Sequence, residues 1–327
     1  MSKNVKFSTG AKTNKEKNSL VKVVVPEGPD EWISPKENEV FKISEDGSFP
    51  DITFELDISG EATCSWSWEI TWSASTSGMR ESKKRGRTLK KWSDSGKLKD
   101  LGKLWKADLN GKCLGGALKV TASNDGKKFN RHVRIIGSNP TEKAVSEFIA
   151  TFSEISGFEK LVKKESAFKQ FINADGEPIV AFDGGYGLTQ LTNPPPKYQE
   201  AWNWKENIKA GVKLYKEKMR EAKRYLEGSK RDRTYSAEQL ELETWCRWNS
   251  GNYHEWDKAN NKWIRDPTIL NDTNTGNIGW DITKSENKGK QEETLHERDK
   301  SEYSKPPTSK SLWRYSGVVY ADNVKNK

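Results

Sequence analysis

The chain has 327 residues, a formal net charge of +9 and a mean hydropathy of −0.93. Its 14 tryptophans and 11 phenylalanines nevertheless supply enough apolar area for two hydrophobic cores, which excludes a disordered chain. No apolar run reaches the roughly 18 residues that a membrane-spanning helix needs, so no membrane insertion is expected.

The positive charge favours anionic partners, but we expect no nucleic-acid site. The densest basic run is RESKKRGRTLKK at residues 80–91. It has no interleaved aromatic side chains on which bases can stack. We therefore interpret this run as a solvated loop.

The cysteines and histidines predict neither a metal site nor a cofactor. They are scattered along the chain: Cys64, Cys113, Cys246, His132, His254 and His296. Their spacing matches no zinc-ligand pattern and no Cys–His dyad. A disulfide between Cys64 and Cys113 would require oxidising conditions.

The N-terminal part predicts a polar tail followed by a β-sandwich. Residues 1–17 are basic and polar, as in a flexible tail, whereas residues 18–137 contain short apolar or alternating runs between turn-rich segments. These runs are VKVVV, ITFELDI, TCSWSWEITWSA, GGALKVTA and NRHVRII. In the third run a period of two puts Trp66, Trp68 and Trp72 on one face, where we expect core packing. Short strands at this spacing are typical of an antiparallel, immunoglobulin-like sandwich.

Residues 138–327 predict a second, mostly helical domain, so the expected fold class is α+β with two domains. Asn139, Pro140 and Glu142 have the order of an N-cap, a first helical residue and a capping-box acid. Apolar residues then recur at helical spacing. We expect the first helix of the domain to begin here.

Two further helices follow from the same kind of pattern. Residues 205–227 predict a long amphipathic helix with a basic outer face. Another helix is expected to start at Ser236, with Gln239 at the capping-box position, and to end near Gly251. Segments 271–281 and 285–310 lack periodicity and are expected to be irregular. The last predicted element covers residues 312–324.

One carboxylate lies on the apolar side of a predicted helix. In SGFEKLVKKESAFKQF the apolar stripe consists of Phe158, Leu161, Val162, Phe168 and Ile172. Glu165 lies inside this stripe, where burial should raise its pKa. A carboxylic acid that keeps its proton near neutral pH suits the general acid of glycosidic-bond cleavage. The alternatives are a Glu165 side chain that bends into solvent or pairs with Lys169.

Motifs around Glu165 resemble the soluble lytic transglycosylase domain of the lysozyme superfamily. In chain order they are ES, GYGLTQ at residues 185–190, NIKAG at 207–211, WNSG at 248–251 and YADNVK at 320–325. The family carries an ES helix, a GAxGLMQ loop, an NI…G helix start, a YNAG segment and a YVxxVL end. The resemblance covers residues 140–327 and implies a mostly α-helical, lysozyme-like domain.

The resemblance also implies roles for individual residues. Glu165 matches the family's catalytic acid. The residues that match its substrate-binding motifs are Ser166, Gly185, Tyr186, Gly187, Leu188, Gln190, Asn207, Trp248, Asn249 and Tyr320. Tyr320 corresponds to the family's tyrosine beside the catalytic acid, although Tyr315 also has a valine four residues later. The candidates to stack on sugar rings are Tyr186, Trp202, Trp204 and Trp248.

Three features depart from the family pattern. Glu165 and Gly187 are 22 positions apart, a longer gap than usual, and INADGEPIVAFD fills it. The family's serine before the glycine-rich loop has no clear match, and Asp183 lies nearest to its place. Thr189 replaces the usual methionine. The D…GGYGLTQ pattern also resembles goose-type lysozymes, which have the same catalytic glutamate.

The resemblance implies cleavage of the β-1,4 bond between N-acetylmuramic acid and N-acetylglucosamine in peptidoglycan. Glu165 would protonate the glycosidic oxygen and then accept the C6 hydroxyl proton, giving a 1,6-anhydro product. One carboxylate suffices for this reaction. Gly185 and Gly187 would let backbone amides approach sugar oxygens, and Gln190 and Asn249 would supply hydrogen bonds.

Two alternatives remain open at this point. The first is an inverting muramidase in which Asp183, or else Asp175 or Glu177, holds an attacking water as general base. The second is a structural component that binds glycan without turnover.

The N-terminus has no apolar segment of a Sec signal peptide, so we expect synthesis in the cytoplasm and delivery to the periplasm or cell wall. The β region resembles a module that accompanies transglycosylase domains in phage-tail and contractile-secretion contexts. The expected delivery route is a phage particle, a contractile (type VI) secretion apparatus or a holin-like route. The expected partners are glycan strands, a carrier from the delivery machine and an inhibitor or immunity protein.

Overall fold

The computed structural model describes residues 31–60, 62–78, 85–305 and 307–326, which form a mixed α and β structure. The predicted tail and the VKVVV run lie outside the described residues. The strands are β1 Trp32–Ser34, β2 Glu39–Ile43, β3 Thr53–Leu56, β4 Cys64–Ser75, β5 Thr88–Leu101, β6 Leu104–Lys106, β7 Gly116–Asn124, β8 Lys127–Gly137, β9 His254–Asp257, β10 Lys262–Arg265, β11 Ile269–Asn271, β12 Ile278–Asp281 and β13 Trp313–Tyr315. The helices are α1 Glu142–Ala150, α2 Phe158–Ser166, α3 Tyr198–Trp202, α4 Trp204–Glu227, α5 Ala237–Asn249, α6 Glu292–Asp299 and α7 Gly317–Lys325.

Two sheets pack face to face in the N-terminal part. One has the strand order β2-β8-β7-β4-β5 and the other β1-β3-β6. Trp66 of the larger sheet contacts Trp32 and Trp105 of the smaller one, with ring centroids 5.9 and 6.0 Å apart. Strand β2 pairs with β8 in parallel, so the prediction of a purely antiparallel sandwich is wrong there. The long connection between these two strands imposes no hairpin geometry and therefore permits parallel pairing.

Strand β4 confirms the alternation expected from the sequence. Its even-numbered positions from Cys64 to Ala74 are buried, and Trp66, Trp68 and Trp72 are core residues. Strand β5 was not predicted, and residues 88–91 of the basic run belong to it rather than to a loop. Among the described strands it pairs with β4 at the edge of its sheet, and edge strands often carry charged residues, lysine above all.

The core of the β region continues beyond the predicted boundary at residue 138. Phe171, Tyr186, Tyr198 and Trp202 pack into it. The Trp202 ring lies 5.2 Å from that of Trp72, centroid to centroid. Residues of the predicted helical domain therefore contribute to the core of the β region.

A second core lies among helices α1, α2, α4, α5 and α7. The predicted long helix and the predicted capping box are confirmed: α4 covers residues 204–227, and Ser236 and Gln239 cap each other reciprocally at α5. The predicted N-cap of α1 is wrong, because Thr141 caps this helix. The side-chain oxygen of Asn139 instead accepts hydrogen bonds from the backbone N–H groups of Gln170 and Phe171.

The apolar stripe around Glu165 does not belong to one helix. Helix α2 ends at Ser166, and Ala167 and Phe168 adopt left-handed backbone conformations with φ of 50° and 61°. Phe168 is buried beyond the helix end. Glu165 therefore lies in the last turn of α2, where the chain changes direction.

The segments expected to be irregular contain short strands and a helix. Strands β11, β12 and β13 form a sheet that packs with α6 around Trp280 and Trp313. Strands of three or four residues are too short to show a period in the sequence. A β9–β10 hairpin precedes them. Within the described ranges, no helix has the length and apolarity needed to cross a membrane.

All three cysteines are buried free thiols, so Cys64 and Cys113 are not bridged. Burial raises the pKa of the Cys113 thiol to about 12 and also raises that of Cys246. The thiol is therefore the form present at neutral pH, and these cysteines behave as small apolar side chains.

Candidate active site

A cleft of about 520 Å³ opens between the end of α2, the glycine-rich loop, the end of α5 and helix α7. Its wall contains Lys164, Glu165, Ala181, Phe182, Asp183, Gln190, Thr192, Asn193, Leu214, Trp248, Asn249, Gly276, Asn277 and Tyr320. Side-chain carboxamides recur along this wall. They offer both hydrogen-bond donors and acceptors to a polar ligand.

Glu165 is held in the cleft wall by two donors. The indole Nε1 of Trp248 donates to its Oε1 at 3.1 Å, and the Tyr320 hydroxyl donates to the same oxygen at 2.5 Å. Both of these hydrogen bonds go to Oε1. Oε1 is thus the anchored oxygen, and Oε2 is the one that can carry a proton toward a ligand.

Burial raises the pKa of Glu165 from 4.5 to about 7. The hydrogen bonds from Tyr320 and Trp248 and the charge of Lys164 oppose this rise, and the carboxylate of Asp183 adds slightly to it. The raised pKa agrees with the expectation from the apolar stripe. A carboxyl group with such a pKa can keep its proton near neutral pH, so it can act as an acid and, after donation, as a base.

Tyr320 reaches Glu165 because α7 starts directly against the end of α5. A Cβ atom on Gly317 would lie 1.9 Å from the carbonyl oxygen of Ser250 and 2.7 Å from that of Cys246. Only glycine permits this approach. Tyr320 is buried one turn later, and burial together with the nearby Glu165 carboxylate raises its pKa well above the usual value. Its hydroxyl therefore remains a hydrogen-bond donor.

Buried amides hold the glycine-rich loop in place. Gln170, which the sequence analysis did not identify, accepts from the Leu188 N–H and donates to the Ala201 carbonyl. Gly187 has φ of 68°, and a Cβ atom there would lie 2.4 Å from the Gln170 amide. Position 187 therefore requires glycine because of this contact within the protein.

Asn207 supports the loop from helix α4. Its Oδ1 accepts from the backbone N–H and the hydroxyl of Thr189, and its Nδ2 donates to the carbonyls of Tyr186 and Glu200. The residue is fully buried. Its side chain is occupied by the loop, which corrects the expectation that it contacts substrate.

The structure brings half of the predicted site residues together. Those in the cleft wall are Glu165, Asp183, Gln190, Trp248, Asn249 and Tyr320. Those buried behind it are Ser166, Gly185, Tyr186, Gly187, Leu188 and Asn207.

Three of the four residues predicted to stack on sugars are buried. Tyr186 packs edge-on against Trp72 and Trp92, and Trp202 and Trp204 are core residues. The stacking prediction is therefore wrong for all three. Their aromatic rings are buried in the protein interior and present no free face to a ligand.

Phe182 is the exposed aromatic side chain that the sequence analysis missed. It is 66% exposed and lies in the cleft wall beside Asp183. Its neighbours in the sequence are not periodic, so no pattern distinguished it from a core phenylalanine. Asn193 and Asn277 were missed for the same reason.

No group of three or more metal-ligating side chains occurs in the parts of the chain that are described. Comparisons with protein-family models, with curated proteins and with solved structures each found no match. The function must therefore be inferred from the site itself.

Replacing Tyr320 with phenylalanine is expected to raise the pKa of Glu165 further. The Tyr320 hydroxyl lowers this pKa by stabilising the carboxylate, and phenylalanine removes that hydrogen bond. Carbon-13 NMR of labelled glutamate side chains measures the titration without any substrate. In Tyr225→Phe, a control whose hydroxyl bonds the His254 carbonyl, the titration should not move. A Tyr320→Phe titration at the wild-type pH or below would contradict the assigned contact.

Proposed function

We propose that the chain cleaves peptidoglycan glycan strands as a lytic transglycosylase, with Glu165 as its single acid and base. The observation that carries the proposal is a carboxyl group that Trp248 and Tyr320 anchor in a cleft wall and whose pKa burial raises to about 7. General acids that work near neutral pH need such a pKa. The lysozyme-like identity of the helical part belongs to the same proposal and rests on the motif resemblance.

The chemistry of the cleft wall supports a carbohydrate ligand. Gln190, Asn193, Asn249 and Asn277 line it and can bond hydroxyl and acetamido groups in both directions. Phe182 offers an exposed aromatic face for a pyranose ring. Polar groups around an apolar surface are typical of small-ligand clefts.

The two steps use one carboxyl group. Oε2 of protonated Glu165 donates its proton to the glycosidic oxygen while the bond from that oxygen to the anomeric carbon breaks. The carboxylate then accepts the proton of the C6 hydroxyl, and the C6 oxygen forms a bond to the anomeric carbon. Trp248 and Tyr320 stabilise the carboxylate between the steps through Oε1.

An inverting muramidase is the second candidate, because Asp183 lines the same cleft. Asp183 is exposed and accepts a long hydrogen bond, 3.3 Å, from the Gly185 N–H. Such a carboxylate can hold an attacking water. The candidates Asp175 and Glu177 are weaker, since both are engaged in ion pairs outside the cleft wall.

Mass spectrometry of digested peptidoglycan distinguishes the two reactions. We expect 1,6-anhydro ends, and reducing ends alone would support the muramidase instead. In Asp183→Asn, turnover should stay within a few-fold of wild type, because the transglycosylase needs no second carboxylate. A loss of about 100-fold or more would assign Asp183 as general base. Binding of glycan without any turnover would favour a structural component.

Delivery to the cell wall by a phage particle or a contractile apparatus is part of the proposal. It rests on the resemblance of the β region to modules found in such settings. Mass spectrometry of purified particles and of secreted fractions tests it. Retention of the protein in the cytoplasm under all conditions would count against it.

A further inference from the structure

Arg85 is a largely buried residue that links the β region to the loop that ends in the cleft. Its side chain is 10% exposed, although it belongs to the run expected to be a solvated loop. Nε and Nη2 bind the two carboxylate oxygens of Asp175 at 2.7 and 2.8 Å. The remaining donors reach the carbonyls of Ser75, Glu177 and Pro178 at 3.0 to 3.1 Å. All five N–H groups of the guanidinium are thereby used.

A second set of contacts joins the same two segments. The Ser77 N–H donates to the Val180 carbonyl at 2.8 Å, and the Val180 N–H donates to the Ser77 hydroxyl at 3.0 Å. Glu177 accepts from the indole of Trp72 and from Arg134. Residues 175–180 are therefore attached to the β4–β5 end of the larger sheet.

This attached segment leads directly into the cleft wall. After Val180 the chain forms a tight turn, in which the Ala181 N–H donates to the Gly185 carbonyl at 2.8 Å. Phe182 and Asp183 lie at the tip of this turn and line the cleft. The turn returns to the loop held by Gln170 and Asn207. Residues 175–180 and 186–191 are thus the two segments that flank the turn, and Arg85 binds the first of them.

We propose that Arg85 is a positioning residue that sets the place of Phe182 and Asp183 in the cleft. The β region then forms part of the site rather than a separate attachment module. A bidentate arginine suits this role, because its planar group fixes orientation as well as distance. The position of Phe182 and Asp183 does not depend on the proposed function. The expected effect on peptidoglycan cleavage does rest on that function.

Hydrogen exchange of the full-length Arg85→Ala variant tests the placement without substrate. We expect exchange in residues 175–186 to become at least about 10-fold faster, while helix α4 and strands β7 and β8 keep their protection. Arg85→Lys should show nearly the same acceleration, because lysine keeps the charge but not the fork of donors. Arg87→Ala is the matched control, since this arginine belongs to the same basic run and is exposed. Its exchange should match that of wild type.

Kinetics on peptidoglycan test the consequence. Phe182→Ala and Arg85→Ala should each raise KM about 10-fold with a smaller change in kcat, because both remove the same contact. The double variant should be no worse than Arg85→Ala alone. Additive losses, or a change confined to kcat, would overturn the positioning role.

If Arg85→Ala does not fold, Asp175→Asn replaces it in the exchange experiment. Asparagine keeps the volume of the Asp175 side chain and removes its charge. It should reproduce the faster exchange of residues 175–186. Unchanged exchange in Asp175→Asn and in Arg85→Lys would overturn the proposal. If no variant or wild-type protein cleaves peptidoglycan, the exchange result still decides the placement, and only the proposed function fails.

Discussion

Replacing Glu165 with glutamine should reduce peptidoglycan cleavage by about 1,000-fold or more, because the amide has no acid proton to donate. Glutamine keeps the size of the side chain and can still accept from Trp248 and Tyr320, so the cleft should keep its shape. The measurement is the initial rate of muropeptide release at pH 6. Glu159→Gln, an exposed glutamate of the same helix, is the matched control. Cleavage by Glu165→Gln at the wild-type rate would falsify the enzyme assignment.

The Glu165→Gln variant should also differ from wild type in the pH dependence of its unfolding free energy, which can be measured without substrate. Between pH 4.5 and about 7 the folded protein keeps a proton on Glu165 that the unfolded chain has lost. Wild-type stability should therefore fall as pH rises through this window. Glutamine does not titrate. From pH 4 to pH 8 the variant should gain up to about 3 kcal/mol over wild type in unfolding free energy. Denaturant titrations at the two pH values measure this difference.

Replacing Gly317 with alanine should have the second largest effect. The new methyl group would lie 1.9 Å from the Ser250 carbonyl oxygen, a backbone atom that cannot rotate away. Helix α7 must then move away from α5, which withdraws Tyr320 from Glu165. We expect a destabilisation of about 2 kcal/mol or more from overpacking. We also expect at least about 100-fold lower activity, since misplacing a catalytic group by about 1 Å costs this much.

Gly102→Ala is the control for the Gly317 experiment. A Cβ atom at Gly102 meets no other atom within 4 Å, and its backbone has no left-handed conformation. Its stability and activity should stay at wild-type levels. Thermal unfolding and turnover are measured for both variants. If Gly317→Ala were as stable and active as Gly102→Ala, the approach of α7 to α5 would not place Tyr320.

Local patterns in the sequence predicted the parts of the fold that depend on neighbouring residues. The alternation in β4, the long helix α4 and the capping box at Ser236 all follow from side chains a few positions apart. The raised pKa of Glu165 was predicted in the same way, from apolar residues three and four positions away. Strand β5 and the sheet around Trp280 were not predicted, because edge strands and very short strands show no clear period.

The roles of the glycine-rich loop were decided by tertiary structure. Gly187 and Asn207 were predicted to face substrate, but their contacts are with Gln170 and Thr189 inside the protein. A motif specifies which residue types recur, and it does not distinguish a residue that touches a ligand from one that supports the loop behind it. Burial separates the two roles.

By itself, the sequence of this protein determined its strongest periodic elements and the apolar environment of Glu165. Only the tertiary structure decided that Phe182 is exposed in the cleft wall and that Arg85 binds Asp175 outside it. It also gave the contact of Tyr320 with Glu165 that the motif resemblance implied. The physical reason is distance along the chain. Tyr320 and Glu165 are 155 positions apart, and Arg85 and Asp175 are 90 apart. No local pattern records such contacts, because they form only when separate elements pack together.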